Sequence, residues 1–247
     1  MQRFFVDPTL PLQPGAEIAL PAALTHQVGH VLRMRPGDRI VLLDNSGDEC
    51  EVELRAFDRG GIRARVLARR AVPGEDGPRV TLYQCGLKGE KFGWVLQKAT
   101  ELGVAGIVPV ASARTVAGLA DLREGGKQER WERIVREAAE QSRRGRIPAI
   151  GAALPWPAAI AQATATHDVA LLPWEAVAGA PDAAPIPAAA RQAGRIALFI
   201  GPEGGLAVEE VAGAAAAGVI PISLGPRILR AETAALAALA VLLIPGA

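Results

Sequence analysis

Two glycine-proline loops hold the residues best placed to do chemistry. Gly201-Pro202-Glu203-Gly204-Gly205 leaves one apolar run, Ile196–Ile200. Gly225-Pro226-Arg227-Ile228-Leu229-Arg230-Ala231-Glu232-Thr233 leaves another, Val219–Leu224. Glu203 narrows what the first loop can hold. A carboxylate inside the turn repels a phosphate, and the Lys-Ser/Thr of a P-loop is missing. A ligand offering hydroxyls or positive charge fits better, although glycines alone suit an ordinary βα turn equally well. His26 and His30 have the one-turn spacing of a metal-binding pair. No third ligand stands at a recognisable spacing, so a capping or packing role is expected there, and no metal.

The elements that must position these loops follow from hydrophobic spacing. Ile196–Ile200, stopped by Gly and Pro, reads as a strand buried on both faces. Ala207–Ala217 and Ala234–Ile244 read as helices, and strand, glycine turn, helix is how an open α/β sheet builds a ligand crevice at its carboxyl edge. Upstream, Val80–Leu87, Gly106–Val110 and Val169–Pro173 read as further strands. Phe92, Val95, Leu96, Ala99 and Leu102 recur at helical spacing, and Lys127–Arg144 is a helix with Trp131, Ile134, Val135, Ala138 and Ala139 inward. This order predicts a parallel sheet with right-handed crossovers. Ala176–Ala190 is a Pro/Ala-rich loop. Asp38–Leu43, Cys50–Phe57 and Ile62–Ala68 alternate as strands of a smaller β-rich domain, with Thr25 capping a short helix, His26–Met34. The linker Ala71–Pro78 divides the chain into domains 1–72 and 73–247.

Composition sets the outer limits. The 247 residues are 50% hydrophobic and carry a net charge of +1, so overall charge gives no argument for nucleic acid. Basic residues do cluster, at Arg33 and Arg35, at Arg63, Arg65, Arg69 and Arg70, and at Arg143, Arg144 and Arg146. Each cluster suits a solvated face or a helix carboxyl end as well as RNA. Cys50 and Cys85 fit a reducing compartment. Met1–Phe5 meets Asp7 and Pro8 at once, leaving no secretory core, and no apolar stretch reaches the ~20 residues of a membrane span. A cytoplasmic protein without a membrane partner is expected.

GPEGGL followed by LGPRILRAETAAL resembles the cofactor-binding end of SPOUT-class methyltransferases, and more narrowly the bacterial 16S ribosomal RNA uridine-N3 methyltransferases, the RsmE family. HQVGHVLRM, KGEKFGWVLQKATELGV and EQSRRGRIP extend the resemblance over nearly the whole chain. It implies an α/β fold, a SPOUT-type parallel sheet with a carboxyl-terminal trefoil knot, preceded by a small PUA-like β-barrel domain. It implies S-adenosylmethionine as cofactor, held by Leu172, Ile200, Gly201, Pro202, Gly204, Leu224, Gly225, Ile228, Leu229 and Thr233. It further implies a homodimer acting on 16S ribosomal RNA, free or within the small subunit, with Arg33, Arg35, Lys88, Lys91, Arg143, Arg144 and Arg146 on the RNA. A SPOUT enzyme acting on transfer RNA and a non-catalytic RNA-binding protein are the alternatives. The intact loop pair weighs against the second.

Methylation at N3 of uracil requires the ring N–H to lose its proton while negative charge spreads onto O2 and O4. The enzyme must supply a proton acceptor, hydrogen-bond donors or a cation near those oxygens, and an in-line pose against S-adenosylmethionine. Glu232 and Arg230, flanking Ala231, are the candidates for those roles. A helix-start ion pair between them is the competing reading. No covalent nucleophile is needed, and Cys85, inside a strand-like run, reads as a small buried hydrophobe.

Overall fold

The computed structural model describes residues 1–58, 60–116, 118–123, 125–175, 186–187, 190 and 192–244. Most of the Pro/Ala-rich stretch 176–190 lies outside them. The chain folds into two compact units, Met1–Glu75 with Ala139–Ile147, and Asp76–Ala138 with Pro148–Ala247.

The first unit is built on a five-stranded sheet. Strands β1 (Arg3–Phe5), β2 (Glu17–Ala19), β3 (Arg39–Leu43), β4 (Asp48–Asp58) and β5 (Gly61–Ala71) lie in the order β1-β3-β4-β5-β2. Only β1 and β3 run parallel. Period-two alternation in β3, β4 and β5 turns Ile40, Leu42, Val52, Leu54, Ile62, Ala64 and Val66 to one core, closed by Leu12, Leu24 and Val28. The other face of β3 is apolar as well. Phe5, Val41 and Leu43 pack there against Ala139, with Ile147 at the edge. The short helix departs from expectation. It begins as α1 (Ala22–His26) after Pro21 and continues as a π turn over Gln27–Val31. Thr25 is inside it and does not cap it, since its Oγ1 donates to the Leu20 carbonyl at 3.2 Å. Proline at a helix start needs no amide partner, so the helix forms one turn early.

Among the described residues of the second unit every strand pairing is parallel. The strands β6 (Arg79–Cys85), β7 (Gly106–Ala111), β8 (Ala149–Ile150), β9 (Leu154–Pro155), β10 (Val169–Pro173), β11 (Arg195–Ile200) and β12 (Ile220–Ile222) follow the order β12-β10-β11-β6-β7-β8, and β9 also pairs with β7. From β6 the chain builds outward to β7, β8 and β9. It then crosses back to place β10, β11 and β12 on the other side. Neighbouring loops diverge where that reversal occurs, between β6 and β11, and leave a crevice at the carboxyl ends of the strands.

Helix α2 (Lys91–Leu102) follows β6 and buries Phe92, Val95, Leu96 and Ala99. Gly103, at φ 102°, ends it in the left-handed conformation, with its N–H donating to the Thr100 carbonyl at 3.1 Å. The short α3 (Leu119–Leu122) precedes α4 (Gly125–Gln141). Helices α5 (Trp156–Thr166) and α6 (Val208–Ala216) follow. The last helix, α7 (Ala231–Leu243), buries Ala235, Ala238, Leu239 and Leu242, and packs on α2, β6 and β11. Among the described residues no helix is long and apolar enough to cross a membrane.

Candidate active site

The two glycine-proline loops meet at the carboxyl edge of the parallel sheet. They wall a cavity of about 360 Å³ together with residues that follow β10 and open α2. Ile200, Gly201, Pro202, Glu203, Gly205 and Leu206 form one side. Ile228, Leu229, Arg230, Ala231 and Ala234 form another, with Lys91, Pro173, Trp174 and Glu175 completing the lining. A smaller cavity, about 60 Å³, adjoins it and is lined in part by Leu224, Gly225 and Arg227.

Charges of both signs line the larger cavity, Glu175 and Glu203 with Lys91 and Arg230. Glu203 Oε1 accepts the Lys88 backbone N–H at 3.0 Å and lies 3.5 Å from Lys91 Nζ. Burial opposes its charge, but the Lys88 amide, its own amide and the Lys91 ammonium outweigh burial and hold the carboxyl below the usual glutamate range. Lys91 Nζ reaches a second carboxylate, Glu232 Oε1, at 3.4 Å. The other oxygen, Glu232 Oε2, is buried and has no hydrogen-bond partner. Glu232 therefore pairs with Lys91, and Arg230 stands exposed on the cavity lining.

The loop after β11 is braced from outside the cavity. Glu210, in the first turn of α6, accepts the Ala207 N–H at 3.0 Å with one oxygen and the Ala113 N–H at 2.8 Å with the other. Arg114 Nη1 donates to the Gly204 carbonyl at 3.3 Å. Gly205 is the glycine whose conformation demands glycine. Its φ is +68°, and a Cβ there would lie 3.1 Å from Glu175 Oε1.

Ile200, Gly201, Pro202, Ile228 and Leu229 are thus brought together in the main cavity, and Leu224 and Gly225 in its small neighbour. Three expected cofactor residues are placed elsewhere. Leu172 is fully buried in the core, and the residues after it, Pro173 and Trp174, line the cavity. Gly204 faces Arg114, and Thr233 is exposed outside the lining. Sequence reasoning misses Trp174 and Glu175. Their signal is present all the same, because they leave a parallel strand at its carboxyl end, where such crevices form. Cys85 is fully buried, and burial pushes its thiol up to about 12, which leaves no thiolate for nucleophilic work.

The expected RNA residues divide in the same way. Arg33, Arg35, Arg143 and Lys88 are exposed. Lys91 belongs to the cavity. Arg144 is spent on structure: its guanidinium pairs with Glu75 at 3.3 Å, both side chains being about nine-tenths buried. Arg146 donates to the Ser46 carbonyl at 2.6 Å and lies against Gly47, where a Cβ would come within 2.8 Å of the guanidinium. The β4–β5 pairing also neutralises part of the arginine set that reads along the chain as free of acids. Arg70 sits opposite Glu49 and pairs with it, and Arg69 pairs with Asp44 and Asp48. Replacing Arg144 with Ala strands a buried carboxylate, so the first unit should lose about 3 kcal/mol. Urea denaturation checks this, and a loss below about 0.5 kcal/mol would show an exposed, screened pair. His26 and His30 are exposed, with ring centroids 5.2 Å apart.

Known proteins of similar sequence and structure point one way. The family model for an RNA methyltransferase domain matches residues 75–243, and that for an RNA methyltransferase PUA domain matches residues 28–67. The chain is 38% identical over 240 residues to the ribosomal RNA small subunit methyltransferase E of Mycobacterium tuberculosis, covering 96% of this chain and 88% of that protein. It is 30% identical over 246 residues to the Bacillus subtilis protein of the same name, covering 98% and 96%. Among solved structures, the ribosomal RNA small subunit methyltransferase E of Neisseria gonorrhoeae, bound to S-adenosyl methionine, superposes with a TM-score of 0.83 at 30% identity, covering 98% and 96%.

Proposed function

The chain belongs to the RNA methyltransferase family that includes the ribosomal RNA small subunit methyltransferase E proteins, and on that premise we propose that it methylates N3 of one uridine in small-subunit ribosomal RNA. Its cofactor is S-adenosylmethionine. The cavity suits that molecule. A volume of about 360 Å³ lies in the range of small-molecule sites, Glu175 and Glu203 with Lys91 and Arg230 put both signs of charge on its walls for a ligand that carries both, and Ile200, Leu206, Ile228 and Leu229 offer apolar cover. When bound, S-adenosylmethionine supplies an electrophilic methyl group.

The single observation that carries the N3 assignment is the state of Glu232. Lys91 holds one carboxylate oxygen, and the other is buried without a donor. A uracil N3–H is a donor of the kind that oxygen lacks. Glu232 accepts that proton, and Arg230, two residues away on the cavity lining, faces the charge that spreads to the ring oxygens. Lys91 orients Glu232, and Oε2, buried in the free protein, becomes the accepting atom when the bound uridine displaces what covers it.

Three further parts of the reading have their own support. For the carboxyl-terminal trefoil knot, β12 sits at the sheet edge while α7 returns to pack on α2 and β6, so the chain end crosses back over β10 and β11. For the homodimer, Trp94 on α2 is 44% exposed and Ile228 is 82% exposed, apolar surface that a second copy would cover. A cytoplasmic setting follows from a ribosomal substrate.

The test is transfer of labelled methyl from S-adenosylmethionine to small-subunit ribosomal RNA, naked and in assembled subunits, followed by nucleoside mass spectrometry. The expected product is 3-methyluridine at one position. Label on a ribose or on another base, or label on transfer RNA alone, would overturn the assignment.

A further inference from the structure

Lys91, at the start of α2, stands between two carboxylates and is closed on neither. Its Nζ lies 3.4 Å from Glu232 Oε1 and 3.5 Å from Glu203 Oε1, where a closed ammonium–carboxylate bond is ~2.8 Å. A movement of about 0.6 Å toward either one closes that bond and opens the other. Both carboxylates are sheltered, with side chains 24% exposed at Glu203 and 16% at Glu232. Each is also held by other means. Glu203 Oε1 accepts the Lys88 backbone N–H at 3.0 Å, and Glu232 sits in the first turn of α7 with Oε2 buried. The lysine is the movable member, a compact charge on a flexible four-carbon stem.

The charge count of the site changes during the reaction. Lys91, Arg230, Glu175 and Glu203 line the cavity, and Glu232 stands behind Lys91. Arg230 and Glu175 are exposed, so solvent screens them more than the sheltered carboxylates. Methyl transfer to uracil N3 breaks a sulfur–carbon bond and leaves its electron pair on sulfur. The N3–H pair becomes the new N3–carbon bond, and the proton goes to Glu232. One positive charge, on sulfur, and one negative charge, on Glu232, vanish together. Beforehand all charges are matched if Lys91 closes on Glu232 and Glu203 faces the cofactor. Afterwards Lys91 and Glu203 are the two charges left without partners, and they match each other.

We propose that Lys91 is a charge relay, closing on Glu232 while a cationic cofactor faces Glu203, and closing on Glu203 once the cofactor charge and the Glu232 charge are gone. The proposal rests on the N3-methyltransferase reading above. It makes Glu203 a positioning residue that acts through Lys91. A sheltered charge without a partner is costly, and the relay leaves none at either end of the reaction. The near-equal distances in the free protein are those of a lysine able to go either way.

The test titrates the full chain, by calorimetry and without RNA, with S-adenosylmethionine and with S-adenosylhomocysteine, which lacks the methyl group and its charge. The ratio of the two affinities is the readout. Glu203→Gln keeps an acceptor for the Lys88 N–H and should lower the preference for S-adenosylmethionine about tenfold, with S-adenosylhomocysteine affinity changed less than about threefold. Lys91→Met should raise the preference about fivefold, because nothing then competes for Glu203. In the Glu203→Gln background the same lysine change should alter it by less than about twofold, the non-additivity expected of two residues acting as a pair. An equal increment in both backgrounds is the mark of a lysine fixed in place and would overturn the relay. Equal weakening of the two ligands by Glu203→Gln, the mark of a structural loop contact, would overturn it too. In single-turnover methyl transfer at saturating RNA and cofactor, Glu203→Gln should be about tenfold slow, since Lys91 has no carboxylate to close on once Glu232 takes the proton. An unchanged rate there would also sink the relay. The binding measurements need no RNA, so their failure in a chain that makes 3-methyluridine strikes the relay alone. A wild type that binds cofactor and transfers no methyl to RNA strikes the reading beneath it.

Discussion

Replacing Glu232 with Gln should lower single-turnover methyl transfer by about 100-fold or more, the usual contribution of a positioned general base. Gln keeps the shape of the side chain and can still donate or accept a hydrogen bond, but it cannot take up the N3 proton. Raising the pH should restore part of the rate, because hydroxide then helps remove that proton. S-adenosylmethionine affinity should change little, since Glu232 lies outside the cavity lining and touches it through Lys91. A purely structural Lys91–Glu232 pair makes the opposite forecast, with a lower melting temperature and normal chemistry on the folded fraction. The structure favours a small stability effect. Glu232 Oε2 already lacks a partner, and Lys91 keeps Glu203 at 3.5 Å when Glu232 loses its charge. Melting temperature and single-turnover rate measured on the same samples decide the matter.

How far this site is legible in the sequence depends on whether the signal is local. Hydrophobic runs place β10 over Val169–Pro173 to the residue and β11 to within one, because strands buried on both faces are uninterrupted apolar segments. The inward spacing of Phe92, Val95, Leu96 and Ala99 marks the buried face of α2. The two glycine-proline loops are legible as a shared pocket for the same reason: each follows such a strand. Lys91 is not legible as a cavity residue. In sequence it is one of two lysines in Lys-Gly-Glu-Lys, and nothing local says that it faces two carboxylates more than a hundred residues away.

Long-range pairing accounts for the other differences. Ala139–Ile147 groups with the first 75 residues because Ala139 packs on Phe5, Val41 and Leu43, and Arg144 meets Glu75. A helix pattern read along the chain cannot show that its last turn belongs to another unit. The arginines of β5 look free of acids only until the β4–β5 register places Glu49 opposite Arg70. A cross-strand partner lies about twenty residues off in the chain and about 5 Å off in space. Which glycine of Gly204-Gly205 bears the backbone constraint is equally hidden, since both are the same letter and only φ separates them.

That distinction sets up the sharpest test of the cofactor loop. Gly205→Val should weaken S-adenosylmethionine binding by roughly 30-fold, whereas Gly204→Val should change it only a few-fold. At φ +68° a β-branched residue costs about 2 kcal/mol, and about 1.4 kcal/mol is a factor of ten in affinity. Contact with Glu175 adds little, because the atom 3.1 Å from the added Cβ is the end of a side chain that can swing away. The backbone itself must leave its conformation. Gly205 N–H donates to the Pro202 carbonyl at 3.0 Å, closing the turn that carries Pro202 and Glu203 along the cavity wall. Relaxing Gly205 opens that turn and displaces the wall. Gly204 has no such constraint. Its added Cβ would meet Arg114 Cβ at 3.4 Å, an ordinary contact, with the strain passed to an exposed side chain. Calorimetric titration of both variants, each first shown to be folded by its melting transition, compares the two positions directly. Equal losses, or a larger loss at Gly204, would move the cofactor contact off the Gly205 turn and onto the face braced by Arg114.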